Sequence, residues 1–119
     1  MRPDEDDLAY LWDMQRFASE VEQLVVHTAY DQFVVDWQKR RAVERCVEII
    51  GEAAGHVSSS FRDAHTEIPW RSLAAQRNVL AHQYGDIRID AIWRVATLRV
   101  PELLLLLRPL LRDDAQGST

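Results

Sequence analysis

Val43-Glu44-Arg45-Cys46-Val47-Glu48-Ile49-Ile50-Gly51-Glu52-Ala53-Ala54-Gly55-His56-Val57 is the stretch that decides the fold class. Its apolar residues Val43, Cys46, Val47, Ile50, Ala53, Ala54 and Val57 recur at steps of three and four, the repeat of an α-helix that buries one stripe. The spacing predicts a long helix from about Gln38 to Val57. Gly51 and Gly55 lie four apart, hence one above the other. Either they let a neighbouring helix approach closely, or Gly55 only loosens the last turn ahead of the serines. Cys46, the single cysteine, has no partner for an internal disulfide and falls on the apolar stripe. It reads as a buried core thiol, with a weak pointer to the cytoplasm.

Upstream, Leu11, Met14, Ala18, Val21 and Val25 repeat in the same way, widened by Leu8, Phe17 and Leu24, and predict a helix over about Asp6 to Thr28. Asp4 to Asp7 supply N-cap candidates and place negative charge where the helix dipole favours it. The pattern blurs from Tyr30 to Trp37, which reads as a connection or a short helical turn. Downstream, Ser60-Phe61-Arg62-Asp63 has capping-box spacing for a short helix through Ala64. Pro69 fits the first position of a further helix carrying Trp70, Leu73, Ala74, Val79 and Leu80, which Gly85-Asp86 breaks. A last helix over about Ile89 to Leu111 presents Ile92, Val95, Ala96, Leu103, Leu106, Leu107 and Leu110, with Pro101 expected to kink it near Thr97. Its leucines exceed one narrow stripe, so burial on two sides, as at a dimer interface, is expected. The fold expected is an all-α antiparallel bundle of four to five helices with a kinked C-terminal helix, one domain over residues 1–112 followed by a disordered tail, 113–119.

Composition narrows the function. With 47% hydrophobic and 28% charged residues the chain reads as soluble and globular, and 4 Gly with 4 Pro leave little room for a turn-rich β architecture. The longest apolar run, Leu103 to Leu107, is cut off by Arg108 and Pro109, far short of a membrane span. The acidic start, Met1 to Asp7, carries no apolar secretion signal. A net charge of −5 opposes a general nucleic-acid coat, so any RNA contact must be local. Lys39-Arg40-Arg41, continued by Arg45, is one such surface, although a solvated helix face is the preferred reading.

The chemically loaded segment is Gln76-Arg77-Asn78-Val79-Leu80-Ala81-His82-Gln83-Tyr84. Arginine offers a fixed charge that pairs with phosphate through two parallel hydrogen bonds. Histidine exchanges a proton near neutral pH, and tyrosine presents a modifiable hydroxyl. On a straight helix Asn78 and His82 share a face about 6 Å apart along the axis, and Arg77 and Tyr84 nearly eclipse each other. Arg77 and His82 lie roughly 140° apart around that axis, so one straight helix does not aim both at one small ligand. Either the helix unwinds near His82, or a second copy brings its own motif across a two-fold axis. Standing alone, such a motif is more often a helix end, with Arg77 paired to an acid and His82 satisfying the last carbonyls.

The wider pattern resembles a known family. Ala42 to Ala54 looks like its second-helix signature. Ile68-Pro69-Trp70-Arg71, followed by Arg77 to Tyr84, resembles its Arg-x-x-x-x-His-x-Tyr core, and Ile89-Asp90, Trp93 and Pro101-Glu102-Leu103 continue the likeness. This is the HepT-like branch of the HEPN superfamily, toxins of toxin–antitoxin pairs, and the resemblance covers about residues 5 to 111. One departure is visible: Ala75-Gln76 stands where the family commonly has Gly-Met. The resemblance implies a cytoplasmic, homodimeric, metal-independent endoribonuclease with no cofactor. It assigns His82 as general acid or base, Arg77 as the holder of the phosphate, and Asn78 as a support that orients His82 or contacts phosphate. The substrate implied is RNA, transfer RNA being one candidate. The partner implied is a nucleotidyltransferase antitoxin of the MntA type that attaches AMP to Tyr84.

Other residues invite readings of their own. Glu48, Glu52 and His56 stack at four-residue steps but lack the Glu-x-x-His pattern of a di-iron bundle, so they read as surface charges, with Glu52 able to support the cleft as an acid. Trp12, Trp37, Trp70 and Trp93 read as core or interface fillers rather than base-stacking platforms, and neither His27 nor His65 has an evident partner in the sequence. The competing function is a non-catalytic helical adaptor that binds a nucleotidyltransferase or a nucleotide.

Overall fold

The computed structural model describes residues 4–75 and 88–117, with side chains through Arg112. Helix α1 (Glu5–Val25) starts at Asp4, whose carboxylate accepts from the Asp7 amide at 2.7 Å, and it buries Leu11, Met14, Ala18 and Val21. It ends three residues before the expected Thr28. The turn beyond it contains His27 in the left-handed region, at φ 58°. The blurred segment is a short helix, α2 (Tyr30–Val35), opened by the Gln32 side chain accepting from the Ala29 amide at 2.9 Å and anchored by buried Phe33. Asp36 then caps α3 (Trp37–His56), accepting from the Lys39 amide at 3.0 Å.

Helices α1 and α3 form the central pair. Lys39 Nζ, early in α3, donates to Thr28 Oγ1 just past the end of α1 at 2.9 Å, while Tyr10, early in α1, stacks on His56 at the end of α3 with ring centroids 5.1 Å apart. The two helices therefore run antiparallel. The whole predicted α3 stripe is buried between them. Gly51 is buried too, but among the described residues nothing lies within 4 Å of where a Cβ would stand on Gly55, so none of them makes a close helix approach there.

Helix α4 (Ser59–Ala64) is capped two residues ahead of the expected Ser60. Ser58 is the cap, accepting from the Phe61 amide, because Asp7 of α1 holds it in place: Asp7 accepts from the Ser58 amide at 2.7 Å and from its hydroxyl at 2.6 Å. Phe61 and Ile68 enter the core. Residues 70–75 begin α5, with the Pro69 carbonyl accepting the first helical bond from Leu73, so Pro69 sits one position ahead of the first helical residue. Val79, Leu80 and Gly85-Asp86 lie outside the described residues.

The chain resumes with α6 (Ile89–Arg94), passes through a π-helical turn at Val95–Arg99, and continues as α7 (Val100–Gly117). The kink expected at Pro101 is this π turn. Pro101 has no N–H to bond the Thr97 carbonyl and its ring would strike it, so the preceding turn widens, with the Val100 amide reaching back to the Val95 carbonyl. The extra residue in that turn rotates the rest of the helix about its axis. Ile92, Ala96, Leu103 and Leu107 are buried as predicted, but Val100, Leu104 and Leu111 join them while Val95, Leu106 and Leu110 are only partly covered. Leu98 and Leu105 stay exposed, 56% and 62%, leaving apolar surface on this helix for a second face to cover. Helical backbone reaches Gly117, into the stretch read as a tail. Among the described residues there is no strand, and no helix is long and apolar enough to cross a membrane.

Candidate active site

Arg77, Asn78, His82 and Tyr84 lie within 76–87, outside the described residues; what the structure describes is how the chain is held on either side of that segment. On the entry side, α5 is seated by Trp70 and Leu73. The Trp70 indole Nε1 donates to the His65 carbonyl at 2.9 Å, its ring meets Phe61 edge-on at 6.4 Å, and Leu73 is buried. On the exit side, Arg88 donates to Asp90 at 3.0 Å at the start of α6. That hydrogen bond, with the attraction of the guanidinium, holds the Asp90 carboxyl below its ordinary range. Trp93 then fixes α6 against α2, with ring centroids 5.0 Å from Phe33 and 5.8 Å from Tyr30.

Glu52 is exposed on α3. Of its helical neighbours, Glu48 pairs with Arg45 at 3.1 Å and His56 is occupied by its stack on Tyr10. Among the described residues no group of three or more His, Cys, Asp or Glu is placed to hold a metal ion. The basic cluster on α3 behaves mostly as a clamp: Lys39 is tied to Thr28, Arg40 donates to the Val34 carbonyl, and Arg41 is exposed. Burial pushes the Glu44 carboxyl up, against the pull of Arg41 and Arg40, so the acid interleaved with this cluster belongs to packing.

Trp70 and Trp93 pack on the core as expected, while Trp12 and Trp37 are exposed, 39% and 60%, so of the two expected roles, core or interface, only the interface is open to them. One histidine departs from expectation. His65 does have partners: Nδ1 lies 3.1 Å from Glu67, and the ring stacks at 4.4 Å on Phe61. Burial acts to raise the Glu67 carboxyl, but its own backbone amide and the His65 ring outweigh that and leave it lowered. Sequence reading missed Arg62, which lines an open cleft at the α4–α5 corner together with Arg71. A lone arginine on a six-residue helix carries no periodic signal that would single it out.

The sequence profile of the family described as Ribonuclease HepT-like matches residues 14–110, which runs from the second half of α1 through most of α7 and takes in the whole of the segment from Arg77 to Tyr84. The chain belongs to the HepT-like ribonuclease family. Individual HepT-like relatives agree. A Methanocaldococcus jannaschii protein named "Putative RNase" is 32% identical over 98 residues, covering 82% of this chain and 90% of its own length. A Thermococcus cleftensis protein named "Probable ribonuclease HepT" is 32% identical over 94 residues, 79% of this chain and 86% of its own. A "Putative RNase" of Caldanaerobacter subterraneus subsp. tengcongensis is 33% identical over 86 residues, 72% of this chain and 77% of its own. No solved structure matches this HepT-like chain.

Proposed function

We propose that this chain is the ribonuclease toxin of a toxin–antitoxin pair, cutting RNA without a metal at a cleft built by two subunits. The observation that carries the reading is the family match across residues 14–110, with the arginine, histidine and tyrosine of the motif all standing inside it. His82 takes the proton of a ribose 2′-hydroxyl as that oxygen attacks its own phosphorus. The bond from phosphorus to the 5′-oxygen breaks, a cyclic phosphate forms on one fragment, and the leaving oxygen receives a proton from the histidine pair. Arg77 holds the phosphate and stabilises the charge that builds on it. Asn78 orients His82 or contacts phosphate, and Glu52, exposed on α3, is the supporting acid.

Helix geometry favours the paired cleft, because Arg77 and His82 diverge by roughly 140° on one straight helix and a second copy restores convergence. Exposed Leu98 and Leu105 support a second copy as well, since together they offer apolar surface on the last helix. A nucleotidyltransferase antitoxin would silence the enzyme by attaching AMP to Tyr84, adding bulk and negative charge where RNA must enter.

Expression of the chain with and without His82→Ala tests the reading. Growth arrest and RNA cleavage by the parent chain, persisting with a chelator present, should fall by about 10²–10⁴-fold in the variant, the usual worth of acid–base catalysis. Equal arrest from both forms would remove this histidine from the chemistry. No arrest from either would favour the non-catalytic adaptor, to which the net charge of −5 lends some weight. For the antitoxin, the intact mass of co-produced chain should rise by one or more AMP units, and Tyr84→Phe should abolish the rise.

A further inference from the structure

Where α4 turns into α5 an open cleft of about 570 Å³ is lined by Ser59, Arg62, Asp63, Thr66, Arg71 and Ser72. We infer that this corner is a phosphate subsite that grips the backbone of the RNA substrate away from the cutting point. The inference rests on the ribonuclease reading for its choice of ligand and on the cleft's own chemistry for the rest.

Two guanidinium groups face this space against one carboxylate, in a chain whose net charge is −5. Arg62 Nε is buried and has no hydrogen-bond partner among the described residues. An unpaired buried donor is costly, so Arg62 is held here without the local partner that a purely structural arginine would have. Neither Arg62 nor Arg71 forms an ion pair among the described residues, Asp63 included. Glu67, the next acid in the chain, is drawn to His65 at 3.1 Å. Three hydroxyls, of Ser59, Thr66 and Ser72, add neutral donors around the charge. Guanidinium forks with hydroxyls beside them suit a phosphate, which accepts through several oxygens at once.

The walls are rigid. Trp70 is fixed through its indole N–H and its edge contact with Phe61, and Phe61 is fully buried. Arg71 stands six residues before Arg77 in the chain, on the helix that leads into the motif. Six residues of chain reach at most about 20 Å, so a single strand bound at the proposed catalytic segment would have neighbouring phosphates within range of this corner. The cations of the Lys39-Arg40-Arg41 cluster are a poorer choice, since two of the three are already bonded within the protein.

The test uses the full chain and a fluorescent single-stranded RNA whose 2′-oxygens are methylated, so that it binds without being cut. Arg71→Gln and Arg62→Gln are each expected to weaken binding by about 3–10-fold, and each should flatten the salt dependence of log K by roughly 0.7, the share of one neutralised phosphate on a single strand. Arg71 is exposed, so its substitution cannot disturb the core; if Arg62→Gln fails to fold by circular dichroism, Arg71→Gln alone decides. Affinity and salt slope unchanged in the double variant would overturn the subsite, as would a parent chain that does not bind the RNA. ATP binding that falls in Arg71→Gln while RNA binding holds would give the cleft to a free nucleotide and overturn the RNA assignment. Cleavage of unmodified RNA, scored separately against His82→Ala, keeps the two readings apart. A chain that never cuts, yet whose RNA binding responds to both arginines, loses the ribonuclease reading and keeps the subsite.

Discussion

Replacing Asp7 tests the link that seats α4, and through α4 the entry to the candidate catalytic segment. Asp7 is 4% exposed, the one buried charged residue among those described, and both its oxygens are used on Ser58, at 2.7 Å to the amide and 2.6 Å to the hydroxyl. Because the Ser58 hydroxyl gives its proton to Asp7, its lone pairs are free to accept from the Phe61 amide and cap α4. Hydrogen bonds to a charged group are worth about 1.5–3 kcal/mol each, and water can refill part of this site once the carboxylate is gone. Asp7→Ala should therefore cost about 3 kcal/mol. Asp7→Asn, which keeps one acceptor for the amide, should cost roughly half of that. Ser58→Ala loses the hydroxyl bond and the cap together, about 2 kcal/mol. Since the two residues share one bond, the double variant should fall short of the sum by on the order of 1–2 kcal/mol. Urea titration followed by tryptophan fluorescence, at one fixed protein concentration, reads each value. In thermal melts the same losses appear as about 3–5 °C per kcal/mol for a domain of this size. A loss under about 0.5 kcal/mol for Asp7→Ala, or single costs that simply add, would refute the clamp.

Local geometry sets two other outcomes. His27 holds a left-handed backbone at φ 58° on an exposed turn, so His27→Gly should raise stability by about 0.5 kcal/mol after the added freedom of the unfolded chain is counted, whereas His27→Val should lower it by more than about 1 kcal/mol; thermal melts of the pair check the sign. Burial pushes the Cys46 thiol up, Glu20 adds to the shift and Arg45 opposes it, so alkylation at pH 8 should run roughly 10³-fold slower in the folded chain than in urea, read by mass; equal rates would place the thiol outside the core.

Much of the fold is legible in the sequence because burial in this bundle obeys the 3.6-residue repeat. Val43 to Val57 on α3 and Leu11 to Val21 on α1 are buried at the positions the repeat picks out. The reading fails where a cause lies outside the local repeat. Ser58 displaces the expected cap at Ser60 because its partner, Asp7, is 51 residues away in the chain. Past Pro101 the core positions shift because counting at about 100° per residue assumes an α-helix, and the π turn at Val95–Arg99 does not keep that step. Trp37 reads as a core or interface filler from its apolar type, and only the fold shows that it opens α3 at the surface, which leaves the interface role.

The candidate site divides along the same line. Its chemical groups are legible as residue types at fixed spacing, but their convergence is a tertiary matter that no spacing within one helix delivers. Both ends of the segment bearing Arg77 and His82 are anchored, and to different neighbours: α5 rests on α4 through Trp70 and Phe61, while α6 rests on α2 through Trp93, Phe33 and Tyr30. In the proposed dimer a second chain would meet the first over a surface that includes the exposed Leu98 and Leu105, and would bring its own histidine toward the first chain's arginine. Charge points the same way: an acidic protein holds a polyanion where cations locally outnumber acids, and two copies of the Arg62–Arg71 corner with two copies of Arg77 would supply such a track. Ribonuclease activity should accordingly depend on protein concentration, and charged substitutions at Leu98 and Leu105 that leave the helical circular dichroism intact should abolish it.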